Sequence, residues 1–155
     1  MAEECGDTNA GGVSRSGSNS AVGAVSVPAK YQSLISTNES KYGLPSGLLA
    51  SVANAESSFN PNAKNKSGAS GMFQFMPATA KGYGIDPYNV TEAADAAAKM
   101  LNGLIAKYDG DVSKALAGYN WGGGNVDKAV RKYGSNWLKY APTETKNYIK
   151  KILGS

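Results

Sequence analysis

The sequence predicts a mostly α-helical, single globular domain of about seven helices with at most a small β-hairpin. Three observations carry that expectation. Apolar residues from Pro28 onward recur at three- and four-residue spacing, Gly, Pro and Asn-Pro breaks separate the periodic stretches by short joins, and almost nothing alternates in the way of a half-buried strand.

The elements follow in chain order. Residues 1–27 are rich in Gly, Ser, Ala and Asn with almost no large apolar side chain, so a disordered tail or linker is expected there and a folded domain over 28–155. Tyr31, Leu34, Ile35 and Tyr42 keep helical spacing until Gly43 ends the pattern. Pro45 is expected to open the next helix, which Asn60-Pro61 stops. Asn62 to Gly71 is a polar loop with room for the hairpin, and Pro77 begins a short helix. Thr91 is expected to cap a long helix through Met100, Leu101, Leu104, Ile105 and Tyr108, and Asp111 a further one through Leu116 and Tyr119. Gly122-Gly123-Gly124 reads as a tight connection before a helix near Val126 to Tyr133, and Thr143 as the cap of a last helix through Tyr148, Ile149 and Ile152.

Composition narrows the chemistry. The chain has 155 residues, 41% of them hydrophobic, which is enough for one core. Histidine is absent, which removes Ser-His-Asp and Cys-His nucleophilic sites and the usual zinc-hydrolase ligand sets. The single cysteine, Cys5, cannot form a disulfide within one chain. No metal or cofactor is called for; catalysis has to rest on carboxylates, hydroxyls, amides and aromatics. The formal charge of +4 suits an anionic polymer or an ordinary surface alike. No dense Lys/Arg block with interleaved aromatics points to nucleic acid. No apolar run is long enough to span a bilayer, no export signal is visible, and nothing calls for more than a monomer.

One acid stands apart. Residues three, four and seven before Glu56 are Ala53, Val52 and Leu49, so its carboxyl shares the apolar stripe of what reads as an amphipathic helix. An acid turned into apolar surroundings loses hydration, and its pKa rises toward the range useful for donating a proton at neutral pH. The plainer alternative is a helix-end glutamate curled out to solvent.

Four short motifs follow in order: Glu56-Ser57, Gly71-Met72-Phe73-Gln74, Gly118-Tyr119-Asn120 and Glu144-Thr145-Lys146-Asn147-Tyr148. With the linking Asn60-Pro61, Gly68-Ala69-Ser70-Gly71 and Met76-Pro77-Ala78-Thr79-Ala80, this order resembles the soluble lytic transglycosylase (SLT) domain family, related in fold to goose-type lysozyme, from about Tyr42 to Leu153. The sequence departs from that pattern in three places. Gly-Met-Phe-Gln stands where the family has Gly-Leu-Met-Gln, Gly-Tyr-Asn where it has Ala-Tyr-Asn, and Lys146 where it has an arginine.

The resemblance implies a lysozyme-like domain that acts on the glycan strands of peptidoglycan in the bacterial cell wall. Glu56 would protonate the β-1,4 glycosidic oxygen between N-acetylmuramic acid and N-acetylglucosamine, then take the proton of the muramoyl C6 hydroxyl as a 1,6-anhydro end closes. The same resemblance implies substrate contacts from Ser57, Asn65, Ser70, Met72, Phe73, Gln74, Met76, Tyr119, Asn120 and Tyr148. Met72, Phe73 and Met76 are expected in the cleft wall, and Tyr148 as the hydroxyl that orients the glutamate. Tyr83 and Trp121 are candidate sugar platforms.

Each of these residues also admits a plain structural role: Ser57 as a helix-end hydrogen bonder, Gln74 as a loop amide, Asn120 as a pin for the glycine turn, and the tyrosines as packing. Two other functions stay open at this level, a lysozyme-like hydrolase and a non-catalytic glycan-binding or assembly module. Ordinary glycosidases flank the bond with two acids, yet no Asp or Glu occurs between Ser57 and Ile85. Asp86, Glu92 and Asp95 come next, and read as a turn residue and two acids in a helix's first turns, with one of them as a water-activating partner for Glu56 as the alternative.

Overall fold

The computed structural model describes residues 25–154; residues 1–24, with Cys5 and most of the expected tail, lie outside the described part. Among the described residues there are seven α-helices: α1 (Ala29–Lys41), α2 (Leu48–Ser57), α3 (Pro77–Tyr83), α4 (Val90–Lys107), α5 (Val112–Trp121), α6 (Gly123–Tyr133) and α7 (Thr143–Leu153). A 3-10 helix, Gly134–Tyr140, joins α6 to α7 and was not foreseen from the sequence. The hairpin expected in the loop after α2 is reduced to two isolated antiparallel bridges, Lys64 to Ser70 and Ser70 to Phe75. Val25 and Val27, ahead of the expected boundary at Pro28, already pack against the core.

The core is organised around α2, which touches α1, α4 and α7. Leu48 through Ala53 are all buried, so α2 is a buried helix rather than an amphipathic one, and Glu56 lies near the end where it emerges. The alanine-rich face of α4 (Ala93, Ala94, Ala96, Ala97 and Ala98) is buried as well, and such small side chains let neighbouring helices approach closely. Leu101, Leu116 and Val126 bring α4, α5 and α6 into the same core.

Helix ends differ from expectation where a neighbour supplies a better partner. Asn89, not Thr91, caps α4: its side chain accepts from the Glu92 N–H, which leaves Thr91 inside the first turn. Pro142, with φ −57°, precedes the last helix, so Thr143 is its first residue rather than its cap. Of the three successive glycines only Gly122 breaks the chain, at φ 103°, while Gly123 and Gly124 are helical. Asp111 caps α5 as expected, accepting from Lys114 N–H.

The start of α2 has no local side-chain cap, because Gly47 occupies that position in the left-handed region. Glu39 of α1 does the work from a distance. Its carboxylate accepts from Gly47 N–H at 3.1 Å and Ala50 N–H at 3.2 Å. Burial raises the Glu39 pKa and the backbone N–H groups partly oppose the rise, so the acid is held by the helix end it satisfies.

The missing methyl at Gly118 has a steric reason. A Cβ there would lie 2.9 Å from Leu104 Cδ2, so the glycine leaves room for the end of that side chain where α4 meets α5. At Gly71, with φ +83°, a Cβ would lie 1.8 Å from the Pro87 carbonyl oxygen. That approach presses the loop after α2 against the turn that leads into α4.

Replacing Glu39 by Ala leaves the first N–H groups of α2 without an acceptor. Urea denaturation at pH 7 is expected to show a loss of about 1–2 kcal/mol.

Candidate active site

Glu56 is the penultimate residue of α2, and the chain reverses directly after it through Ser58 and Phe59, at φ 54° and 64°. Ser57 locks this end in place. Its hydroxyl donates to Met72 O at 2.7 Å and accepts from Asn60 N–H at 3.1 Å, tying the helix end to the following loop. The Glu56 backbone is therefore fixed independently of its carboxyl.

Burial raises the Glu56 pKa to about 7; the Tyr148 hydroxyl opposes the rise and the charge of Glu144 adds to it. Tyr148, from α7, is buried, and its hydroxyl has no hydrogen-bond partner of full geometry among the described residues. It stands near enough to Glu56 to stabilise the carboxylate without closing a well-formed bond. Burial and the neighbouring acid push the Tyr148 pKa well above its usual value, so it stays a donor. Tyr119, from α5, is another neighbour of Glu56 whose pKa burial pushes well up, and its hydroxyl donates to Phe73 O at 2.9 Å. Side chains from α5 and α7 thus meet at the carboxyl carried by α2, and the loop after α2 braces Ser57 and Tyr119 beside it.

The loop is shaped by Gln74, a non-glycine residue at φ 53°. Its amide nitrogen donates to Gly71 O at 2.8 Å and Ala63 O at 3.2 Å, closing the turn that carries it. The loop-amide role is thus filled, and the side-chain oxygen is what remains for a ligand. Phe75 packs its ring between Tyr83, at 6.2 Å, and Tyr119, at 6.5 Å between centroids.

The remaining expectations separate. Met72 and Phe73 are fully buried, at 0% exposure, so their side chains are core and not cleft wall; only their carbonyls face the site's hydrogen bonds. The reason is the loop's fold-back over α2, which turns its apolar side chains inward. Met76, at 44%, is the exposed member of the expected trio. Ser70 is buried, donating to Gly68 O and accepting from the Tyr88 hydroxyl, which leaves it no free face toward a glycan. Asn65 is exposed and organises its own turn by accepting from Ser67 and Ala69 N–H. Asn120 does not pin the glycine turn; it joins α5 to α7, donating to Glu144 and accepting from Thr145. Asn125, donating to Trp121 O at 2.7 Å, holds the turn instead. Tyr83 is exposed beside Phe75, and Trp121 is half-buried.

The acids expected as alternative partners are engaged elsewhere. Asp95 pairs with Lys41 and Tyr42, Glu92 accepts from Asp86 N–H, and Asp86 accepts from Tyr88 N–H. The acid that does influence Glu56 is Glu144, in the first turn of α7, which counting along the chain missed. The signal was present: Glu144 and Tyr148 are four apart on a helix and share a face. Among the described residues no three His, Cys, Asp or Glu side chains gather to hold a metal ion.

Helices in this order, with a desolvated glutamate at the end of the buried one, make a lysozyme-like domain of the lytic transglycosylase kind. The fold matches SLT70, the 70 kDa soluble lytic transglycosylase of Escherichia coli, with a TM-score of 0.70 at 24% identity, over 80% of this chain and 23% of that one. The chain belongs to the Transglycosylase SLT domain family, whose model matches residues 33–140. It is 38% identical over 136 residues to the peptidoglycan transglycosylase gp16 of Escherichia phage T7, covering 82% of this chain and 10% of that protein. It is 35% identical over 120 residues to the transglycosylase of Enterobacteria phage PRD1, covering 77% of this chain and 40% of that one. The chain therefore spans well under half the length of these relatives.

The site's electrostatics carry signs that can be tested. Tyr148→Phe removes the donor that favours the carboxylate and is expected to raise the Glu56 pKa; Glu144→Gln removes a like charge and should lower it. Carbon-detected NMR titration of the Glu56 carboxyl checks both. Because the folded pKa lies above the unfolded one, ionising Glu56 costs stability, with the full cost above pH 7 and none below about pH 4. Glu56→Gln should accordingly stabilise the fold by about 1–3 kcal/mol at pH 8 and have little effect at pH 4, as read by urea denaturation.

Proposed function

We propose that this domain cleaves the β-1,4 bond between N-acetylmuramic acid and N-acetylglucosamine in peptidoglycan as a lytic transglycosylase, leaving 1,6-anhydro-muramoyl ends. The observation that carries the proposal is the desolvated Glu56, with a pKa of about 7, held between Tyr148 and Tyr119 at the family's motif positions. Its protonated form is well populated at neutral pH, as a general acid requires, and its conjugate base is strong enough to recover a proton in the second step.

The steps balance on this one residue. Glu56 gives its proton to the glycosidic oxygen as the bond to C1 breaks and positive charge builds on the muramoyl ring. The substrate's N-acetyl oxygen stabilises C1, so no protein nucleophile is required. The carboxylate then takes the C6 hydroxyl proton as that oxygen bonds to C1, which returns Glu56 to its starting form. The Tyr148 hydroxyl steadies the carboxylate between the steps. Residues left to meet the glycan are Gln74 through its side-chain oxygen, exposed Met76, and Tyr83 beside Phe75. The reading places its action at the bacterial cell wall; no described helix is long and apolar enough to cross a membrane.

A hydrolytic reading draws on Glu144. It is the acid that influences Glu56, and it is exposed at the start of α7, as a residue activating water would be.

Purified peptidoglycan digested with the protein and analysed by mass spectrometry is expected to yield non-reducible anhydro muropeptides. Reducible products, one water heavier, would replace the transglycosylase by a hydrolase and direct attention to Glu144. Glu56→Gln is expected to lower the release rate by about 10²–10⁴-fold while glycan binding persists. The wild-type rate should fall as pH rises through 7, because the first step needs the protonated acid.

A further inference from the structure

A second concavity opens beside the loop that carries Gln74, lined by none of Glu56, Gln74, Tyr119 or Tyr148. It is a groove of about 590 Å³, within the range of sites for small ligands. Phe75, Ile85 and two prolines, Pro77 and Pro87, give it an apolar floor, and Lys64 and Lys81 stand among the lining residues. No Asp or Glu lines it. Among the described residues neither lysine takes part in an ion pair. The nearest acid in the chain, Asp86, is turned to Tyr88 N–H.

The groove is held open by the same contacts that shape the loop. Ser70 is bridged to both Lys64 and Phe75, and the Tyr88 hydroxyl donates to its Oγ at 3.2 Å. The absent side chain of Gly71 lets Pro87 approach and set the back wall. Tyr88, at 42% exposure, offers its ring to whatever enters.

We propose that this groove seats the peptide stem of the strand being cut, with Lys64 and Lys81 pairing with its free carboxylates. The inference rests on the peptidoglycan reading above. The stem hangs from the muramoyl sugar next to the scissile bond, and it combines carboxylates with small aliphatic side chains, which matches two lysines that pair with no acid among the described residues, over an apolar floor. Phe75 lies between Gln74 and Met76 in the chain, so one loop borders both places. An extended stem of about five residues spans roughly 17 Å. Binding there makes the domain select peptide-bearing strands over bare glycan.

Two measurements on the same proteins test this. Wild type and the double variant Lys64→Ala/Lys81→Ala are compared on peptide-bearing strands and on strands stripped of peptide by an amidase. The variant is expected to lose about five- to tenfold in kcat/KM on peptide-bearing strands at low salt, with its turnover of stripped strands unchanged. Equal loss on both substrates, or no loss on either, overturns the assignment.

The stem tetrapeptide L-Ala-γ-D-Glu-meso-diaminopimelate-D-Ala is also titrated into both proteins by two-dimensional NMR. Amide shifts at Ser70, Ile85 and Tyr88 that weaken in the variant are expected; their absence, or shifts confined to residues elsewhere, overturns the site. If the wild type cuts neither strand, the transglycosylase reading fails, and the groove is judged on the titration alone.

Discussion

A carboxyl group partly withdrawn from water, at the end of a helix buried over Leu48 to Ala53, is the constraint around which this domain is arranged. In water a glutamate is half ionised near pH 4.5; burial in the fold raises the Glu56 pKa to about 7. That requires side chains packed around much of the acid, which stays partly exposed. They include Tyr119 from α5 and Tyr148 from α7, segments far from Glu56 in the chain. The arrangement has an energetic consequence: above neutrality the fold carries a charge it does not solvate, and stability is lost in proportion to the elevation of the pKa. The proposed chemistry draws on the same desolvation, so in that reading stability and chemistry oppose each other at this residue.

The surrounding structure offsets that tension with contacts that act on backbone. Glu39 satisfies the start of α2 and Ser57 ties down its end, so both ends of the helix are held by side chains. The loop after α2 accepts left-handed backbone at Ser58, Phe59 and Gln74, each costing on the order of 1 kcal/mol, and repays it with bridges and the Gln74 amide bonds. Strain of this kind persists only where neighbouring contacts over-determine it, and here they do.

The loop also shows how one short segment serves several surroundings. Met72 and Phe73 enter the core, their carbonyls receive the hydroxyls of Ser57 and Tyr119, and Met76 reaches solvent. Ser70 and Phe75 border the lysine-bearing groove. A loop with so many obligations has little freedom in sequence. Gly71 illustrates this, since a side chain there would meet the Pro87 backbone.

The helices and the catalytic candidate were legible from local pattern. Apolar spacing located the longer α-helices and Pro and Gly breaks the starts of α3 and α6, while the register of Leu49, Val52, Ala53 and Glu56 placed the acid among apolar neighbours, because helical periodicity is a property of adjacent residues. The caps were harder. Asn89 rather than Thr91, and remote Glu39 at α2, depend on which N–H groups the tertiary fold leaves unsatisfied. The 3-10 helix at Gly134–Tyr140 carried no apolar period long enough to announce it. Motif order brought Tyr119 and Tyr148 into view, but tertiary structure alone decided that Met72, Phe73 and Ser70 face inward, that Asn120 braces α7, and that Glu144 is the acid Glu56 senses. Burial and Coulomb interaction depend on distance in space. The chain fixes that distance only once α7 has packed against α2, about ninety residues after the acid it covers.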